Sequence, residues 1–138
     1  MVQMIHNTCL VKHDPPNSYG DCVRACVSSI LETPCEAVPH FYDDGNGELA
    51  FDRMRVWLAG YGRIPAYYPL PGEMSLDEVL REASMYKTEF MLFCSNAGGD
   101  HCVIGADGKI AHDPAWYRTA ITGPHSSGVW IVILLARA

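Results

Sequence analysis

Positive charge is scarce in this sequence. Ten Lys and Arg stand against sixteen Asp and Glu, a formal charge of −6, so there is no basic footprint for a phosphate backbone and nucleic-acid binding is excluded as a leading function. Long apolar runs are also missing. The longest, Val129 to Ala136, falls far short of the roughly 20 residues that cross a bilayer and reads as a buried strand. The opening Met1-Val2-Gln3-Met4-Ile5-His6 has neither the basic start nor the apolar stretch of a signal peptide, which predicts a cytoplasmic protein without a membrane partner. No glycine-rich phosphate loop occurs, because Gly98-Gly99 and Gly105 do not precede a helix, and no cofactor is expected. Repeats, long linkers and charge blocks are absent, so residues 1–138 read as one domain.

What is present is a chain half apolar in composition, with six cysteines. They sit inside apolar segments of a chain with no secretion signal, which suits reduced thiols. Met1 to Lys12 reads as an edge strand. His13-Asp14-Pro15-Pro16-Asn17-Ser18-Tyr19-Gly20 is a loop, because two prolines and a glycine break regular structure. Val23, Cys26, Val27, Ile30 and Leu31 share one helical face over about Asp21–Glu32, and Pro34 ends that helix. Further helices are predicted over about Gly47–Gly60 and from a cap at Ser75 to about Tyr86, with a short strand over Arg63–Tyr68 between them. After Lys87 the period changes to that of strands: Glu89–Cys94, His101–Gly105, Lys109–His112 and Gly128–Ala136, with Asp107-Gly108 as a hairpin turn. Helices followed by antiparallel strands give an α+β class, with a central N-terminal helix packed on a C-terminal sheet.

Two segments carry chemistry. In Gly20-Asp21-Cys22-Val23-Arg24-Ala25-Cys26, Cys22 falls in the first turn of the buried helix, where unpaired amides and the helix dipole favour a thiolate and can stabilise an oxyanion. That segment alone fits either a reactive thiol or an inert one, and partners must decide. Cys26, one turn deeper, reads as a small core residue. The partner segment runs from Gly99 to Pro114. A hairpin turning at Asp107-Gly108 brings His101 and Asp113 to the same end of the sheet, where the imidazole can take the thiol proton and the carboxylate can orient the ring. His112 is the competing base, but as the strand neighbour of Asp113 it points the other way.

These elements, Asp21-Cys22 before a helix rich in Ala and Ser, Val38-Pro39-His40-Phe41, and Gly108-Lys109-Ile110-Ala111-His112-Asp113-Pro114, resemble the papain-like cysteine peptidase superfamily. The likeness is to the branch that processes bacteriocin leaders, and closer still to small phage and bacterial proteins with the same elements. It spans residues 7 to about 116. The resemblance implies a papain-like fold with nucleophile Cys22, base His101 and orienting Asp113. It also implies a protein or peptide substrate and a phage protein acting in a host cytoplasm. The implied reaction is cysteine-dependent acyl transfer, first of all hydrolysis of a peptide or isopeptide bond. Glutamine deamidation or transamidation would use the same triad.

One position departs from the family. Papain-like enzymes present a glutamine six residues before the nucleophile as an oxyanion donor, and here that position is Pro16. Asn7 and Asn17 are the amides available to replace it. The departure is the best support for a rival reading, a non-catalytic binding module that keeps the fold and engages a host factor. A zinc scaffold built from Cys22, Cys26, His101 and Cys102 is a second rival, weakened because His101 and Cys102 alternate across a strand. Cys9, Cys35 and Cys94 read as packing thiols. His6, His13, His40 and His125 have no partner that the sequence names. Trp116, just after Asp113-Pro114, would stand beside the cleft.

Overall fold

The computed structural model describes residues 10–115 and 120–138. Among these residues three α-helices, α1 (Cys22–Ile30), α2 (Gly47–Ala59) and α3 (Leu76–Ala83), pack on one antiparallel sheet of six strands. The strands are β1 (Arg63–Pro71), β2 (Phe90–Asn96), β3 (Gly99–Ala106), β4 (Lys109–His112), β5 (Ile121–Pro124) and β6 (Val129–Arg137). Their order is β1-β6-β2-β3-β4. One side of β2 is shared, pairing with β6 over Met91–Phe93 and with β5 over Cys94–Asn96. The α+β class is as expected, with one difference in arrangement: β1 comes from between α2 and α3 and pairs along its whole length with β6. The sheet is therefore not wholly C-terminal. The edge strand expected over Met1–Lys12 lies mostly outside the described residues, and Leu10–Lys12 is irregular.

Each face of the sheet takes one layer of helices. Cys102, Ile104, Met91 and Ile133 join Cys26 and Val27 of α1 and Met54 and Leu58 of α2 in one cluster. The alternate residues Val103, Phe90, Leu92 and Val132 join Val79, Leu80 and Ala83 of α3 in another. This is the period-two alternation of strands buried on both faces, and it explains why β2 and β6 read as continuous apolar runs. Phe90 is fully buried opposite Gly105. A Cβ on that glycine would lie 2.3 Å from the ring's Cζ, so the ring occupies the space a side chain would need.

The ends of the helices follow local chemistry. The Ser75 hydroxyl accepts from the Glu78 amide while the Glu78 carboxylate accepts from the Ser75 amide, a reciprocal cap that starts α3 at Leu76, where the cap at Ser75 predicts it. The expected extension to Tyr86 is a separate 3₁₀ turn over Ser84–Tyr86, ended by Lys87 in the left-handed region. Asn46 caps α2 through the Leu49 amide. β1 runs three residues past the expected Tyr68, through Pro69 and Pro71. Ala138 donates to the Gly62 carbonyl, so the even-numbered positions of this strand face β6. Pro65, Pro69 and Pro71 therefore turn toward the open edge, where no ladder bond is lost.

Candidate active site

α1 starts at Cys22, and what precedes it decides how that start is held. Asp21 occupies the capping position, yet its fully buried carboxylate does not cap α1. Instead Oδ1 accepts from the amides of Leu10 and Val11, both at 3.0 Å, and Oδ2 lies 3.7 Å from Arg24 Nη1. Arg24 Nε in turn donates to the carbonyls of Cys35 at 2.9 Å and Val38 at 2.7 Å. The chain before α1 and the chain after it are thus tied to its first turn. The first bond of the helix ladder runs from Ala25 to the Asp21 carbonyl, so the amides of Cys22, Val23 and Arg24 precede the ladder, and the Asp21 side chain does not cap them. α1 is buried on several sides: Cys26 and Val27 face the sheet cluster, Ala25 packs with Cys35, and Ser28 and Ser29 bond back to the Ala25 carbonyl.

His101 and Asp113 meet directly. Nε2 of His101 lies 2.7 Å from Asp113 Oδ1, and the two side chains are 4% and 18% exposed. The same oxygen accepts the Ala115 amide at 3.1 Å. A plain hairpin from Asp107-Gly108 would not achieve this. It would pair Ile104 with Ala111 and leave Asp113 opposite Cys102, on the face away from His101. In the structure Gly105 pairs with Ile110 but Ile104 pairs with His112, so Ala111 is an extra residue, a β-bulge. That single residue turns Asp113 to the face of His101 and turns His112 to the other.

The Cys22 thiol lies close enough to His101 for the two side chains to interact. Nε2 is engaged by Asp113, so Nδ1 is the ring nitrogen that remains able to exchange a proton. Burial pushes the imidazole toward its neutral form, but the hydrogen bond to Asp113, the proximity of Cys22 and the charges of both outweigh it, and the pKa stands at about 9. Cys22 is partly exposed, whereas Cys26, Cys35, Cys94 and Cys102 are all buried. Burial raises the thiols of Cys35, Cys94 and Cys102 above the ordinary range. Among the described cysteines, Cys22 is the one that combines access with a basic neighbour.

The remaining sequence candidates fall in several places. Asn17 is exposed in the Asp14–Ser18 turn, its amide 3.4 Å from Asp14 Oδ2. Asn7, Cys9, His6 and Trp116 lie outside the described residues. His13 Nδ1 accepts the Gly20 amide at 3.1 Å, and His40 Nε2 donates to the Tyr19 carbonyl at 2.7 Å. Both therefore brace the loop leading to Cys22. Cys26 directs its thiol at the Cys102 carbonyl. Among the described residues, no group of three or more His, Cys, Asp or Glu is arranged to hold a metal ion. Two surface concavities, about 290 Å³ beside β5 and about 750 Å³ between Pro39–Asp43 and α2, have none of the three residues in their walls.

Two features escaped the sequence reading. The Asp21–Arg24 pair has the i, i+3 spacing that brings opposite charges together on a helix, and that spacing could have revealed it. His125 has a partner after all: Nε2 lies 3.2 Å from Asp100 Oδ2, and Ser126 donates to the same carboxylate through its amide at 2.8 Å and its hydroxyl at 2.6 Å. This clasp joins the loop after β5 to the residue before His101. It depends on β5, whose pairing no local signal announced.

The chain thus presents a thiol at a helix start, a buried imidazole against it and a carboxylate behind the imidazole. Compared with family models, with curated proteins and with solved structures, the chain matches none.

Proposed function

We propose that this protein is a papain-like, cysteine-dependent acyl-transfer enzyme. Cys22 is the nucleophile, His101 the acid and base, and Asp113 the residue that orients and charges the imidazole. The supporting observation is the hydrogen bond between His101 and Asp113, with the Cys22 thiol within interaction range of the same imidazole at the start of a buried helix. A thiolate beside an imidazolium attacks a carbonyl carbon, and the C–S bond forms as the oxygen takes up charge. The imidazolium then protonates the departing amine as the intermediate collapses to a thioester, and the neutral ring activates water for its hydrolysis. The substrate is a protein or peptide, cleaved at a peptide or isopeptide bond.

The test is limiting iodoacetamide across pH 5 to 9, with the modified cysteine mapped by mass spectrometry, on the wild type and on His101→Ala. Selective alkylation of Cys22 below pH 7, lost in the variant, is the expected result. Slow labelling with no preference for Cys22 would remove the enzyme reading and leave a binding module.

A further inference from the structure

The site needs a hydrogen-bond donor for a developing oxyanion beyond the amides at the start of α1, and the position sequence reasoning would look to first is Pro16, which has none. Tyr42 carries an uncommitted hydroxyl in the right neighbourhood. It packs against the same apolar cluster as Cys22. Its ring meets that of Tyr19 edge-on, 5.6 Å between centroids, and Tyr19 lies three residues before Cys22 in the chain. The phenol is within electrostatic reach of both Cys22 and Asp100, the residue before His101. Cys22 starts α1, and Asp100 lies in the first residues of β3. No described residue takes a hydrogen bond from it.

The chain neighbour of Tyr42, Phe41, and its ring partner, Tyr19, are each held in place. Arg53 Nη1 donates to the Phe41 carbonyl at 3.0 Å, and Phe41 is buried edge-on against Trp57. His40 grips the Tyr19 carbonyl. A donor fixed in advance loses little entropy when charge develops beside it, which is what makes such groups effective. Burial, then the charges of Asp100, Tyr19, Cys22 and Asp44, raise the phenol above its ordinary range, so it stays protonated and able to donate. Asp100 takes no hydrogen bond from that hydroxyl in the structure; its oxygens accept from Ser126 and face His125.

We propose that the Tyr42 hydroxyl donates the hydrogen bond that stabilises the acyl oxygen of a carbonyl under attack by Cys22. The proposal rests on the acyl-transfer reading above. No proton is transferred: the thiolate's electron pair forms the C–S bond, the carbonyl π pair moves to oxygen, and Tyr42 holds that oxygen until the leaving group departs.

The test compares two reactions of one thiol. Iodoacetamide alkylates sulfur by displacement of iodide and forms no oxyanion. p-Nitrophenyl acetate acylates it through a tetrahedral oxyanion and releases p-nitrophenolate. Both rates are measured on the wild type and on Tyr42→Phe, which keeps the ring pair with Tyr19, and the rate of Cys22→Ala is subtracted. The expected result is acylation slowed roughly 100-fold in Tyr42→Phe, as for loss of one oxyanion donor, with the alkylation rate and its pH profile unchanged. Equal acylation in the two proteins overturns the proposal and leaves the acyl-transfer reading intact. A parallel fall in both rates also overturns it, since Tyr42 would then act on the thiol or the fold. A wild type whose Cys22 reacts selectively with neither reagent removes the acyl-transfer reading, and this proposal with it.

Discussion

Replacing Asp113 with Asn keeps an oxygen for the Ala115 amide and the shape of the side chain but removes the charge facing His101. The rise of His101 from an ordinary 6.5 to about 9 corresponds to roughly 3 kcal/mol in favour of the charged ring. Burial, the largest single influence, opposes that rise, and the Asp113 hydrogen bond is the first of those that overcome it. With the carboxylate gone, the pKa of His101 should fall by roughly one to three pH units, the range for loss of an adjacent opposite charge. The ring would then be neutral for much of the range from pH 7 to 9, where the wild-type ring is charged. The assay is the Cε1 proton resonance of His101 followed from pH 5 to 10 in both proteins, beside the iodoacetamide rate at Cys22. A wild-type midpoint near 9 that moves down in Asp113→Asn, with slower alkylation at pH 7, is expected. A wild-type midpoint below 7, or one that Asp113→Asn does not move, would refute the reasoning.

The same residue sets a stability window. Its folded pKa lies above the unfolded value, so its contribution is complete below pH 6.5 and is lost as pH rises through about 9. Urea denaturation at pH 6 and pH 9 should differ by up to about 3 kcal/mol from this group, and His101→Ala should flatten the difference. Gly105→Ala drives a methyl into the buried Phe90 ring and should lower stability by roughly 1–3 kcal/mol in thermal or chemical denaturation; an unchanged midpoint would mean that the ring has room to move. Arg24→Met strips the donor from the Cys35 and Val38 carbonyls and the cation from buried Asp21. A loss of roughly 1–3 kcal/mol is expected, part of it recovered by adding Asp21→Asn, and strict additivity of the two variants would show that they are not coupled.

The helices and most strands were legible because each carries its period locally. The apolar spacing from Val23 to Leu31 marks α1, Ser75 with Glu78 marks the start of α3, and Asp107-Gly108 marks the tightest turn. Both turn residues have positive φ, 53° and 77°, as the two-residue hairpin requires. β5 was missed because Ile121-Thr122-Gly123-Pro124 is short, holds a glycine and a proline, and is a strand only through its pairing with Cys94–Asn96, some 27 residues back in sequence. β1 was cut short at Tyr68 because its prolines read as breakers until the open edge is known. At the site, Cys22, His101 and Asp113 could be chosen from residue type and order. The bulge at Ala111 could not, since nothing in Lys109-Ile110-Ala111-His112 distinguishes a bulged strand from a plain one. The closeness of His101 to Asp113 was expected from a register that would have separated them; the structure brings them together by a different one.

The three outward prolines of β1 also bear on what this sheet can become. Along its outward positions only Arg63 and Tyr67 keep an amide to offer, too few and too far apart to seed a further strand. A sheet grows by templating, each strand presenting a complete row of donors and acceptors to the next, and here the row is broken at its last member. Growth from that side is terminated in the covalent chemistry of the chain itself, a protection that survives changes in pH, salt or concentration because it depends on none of them.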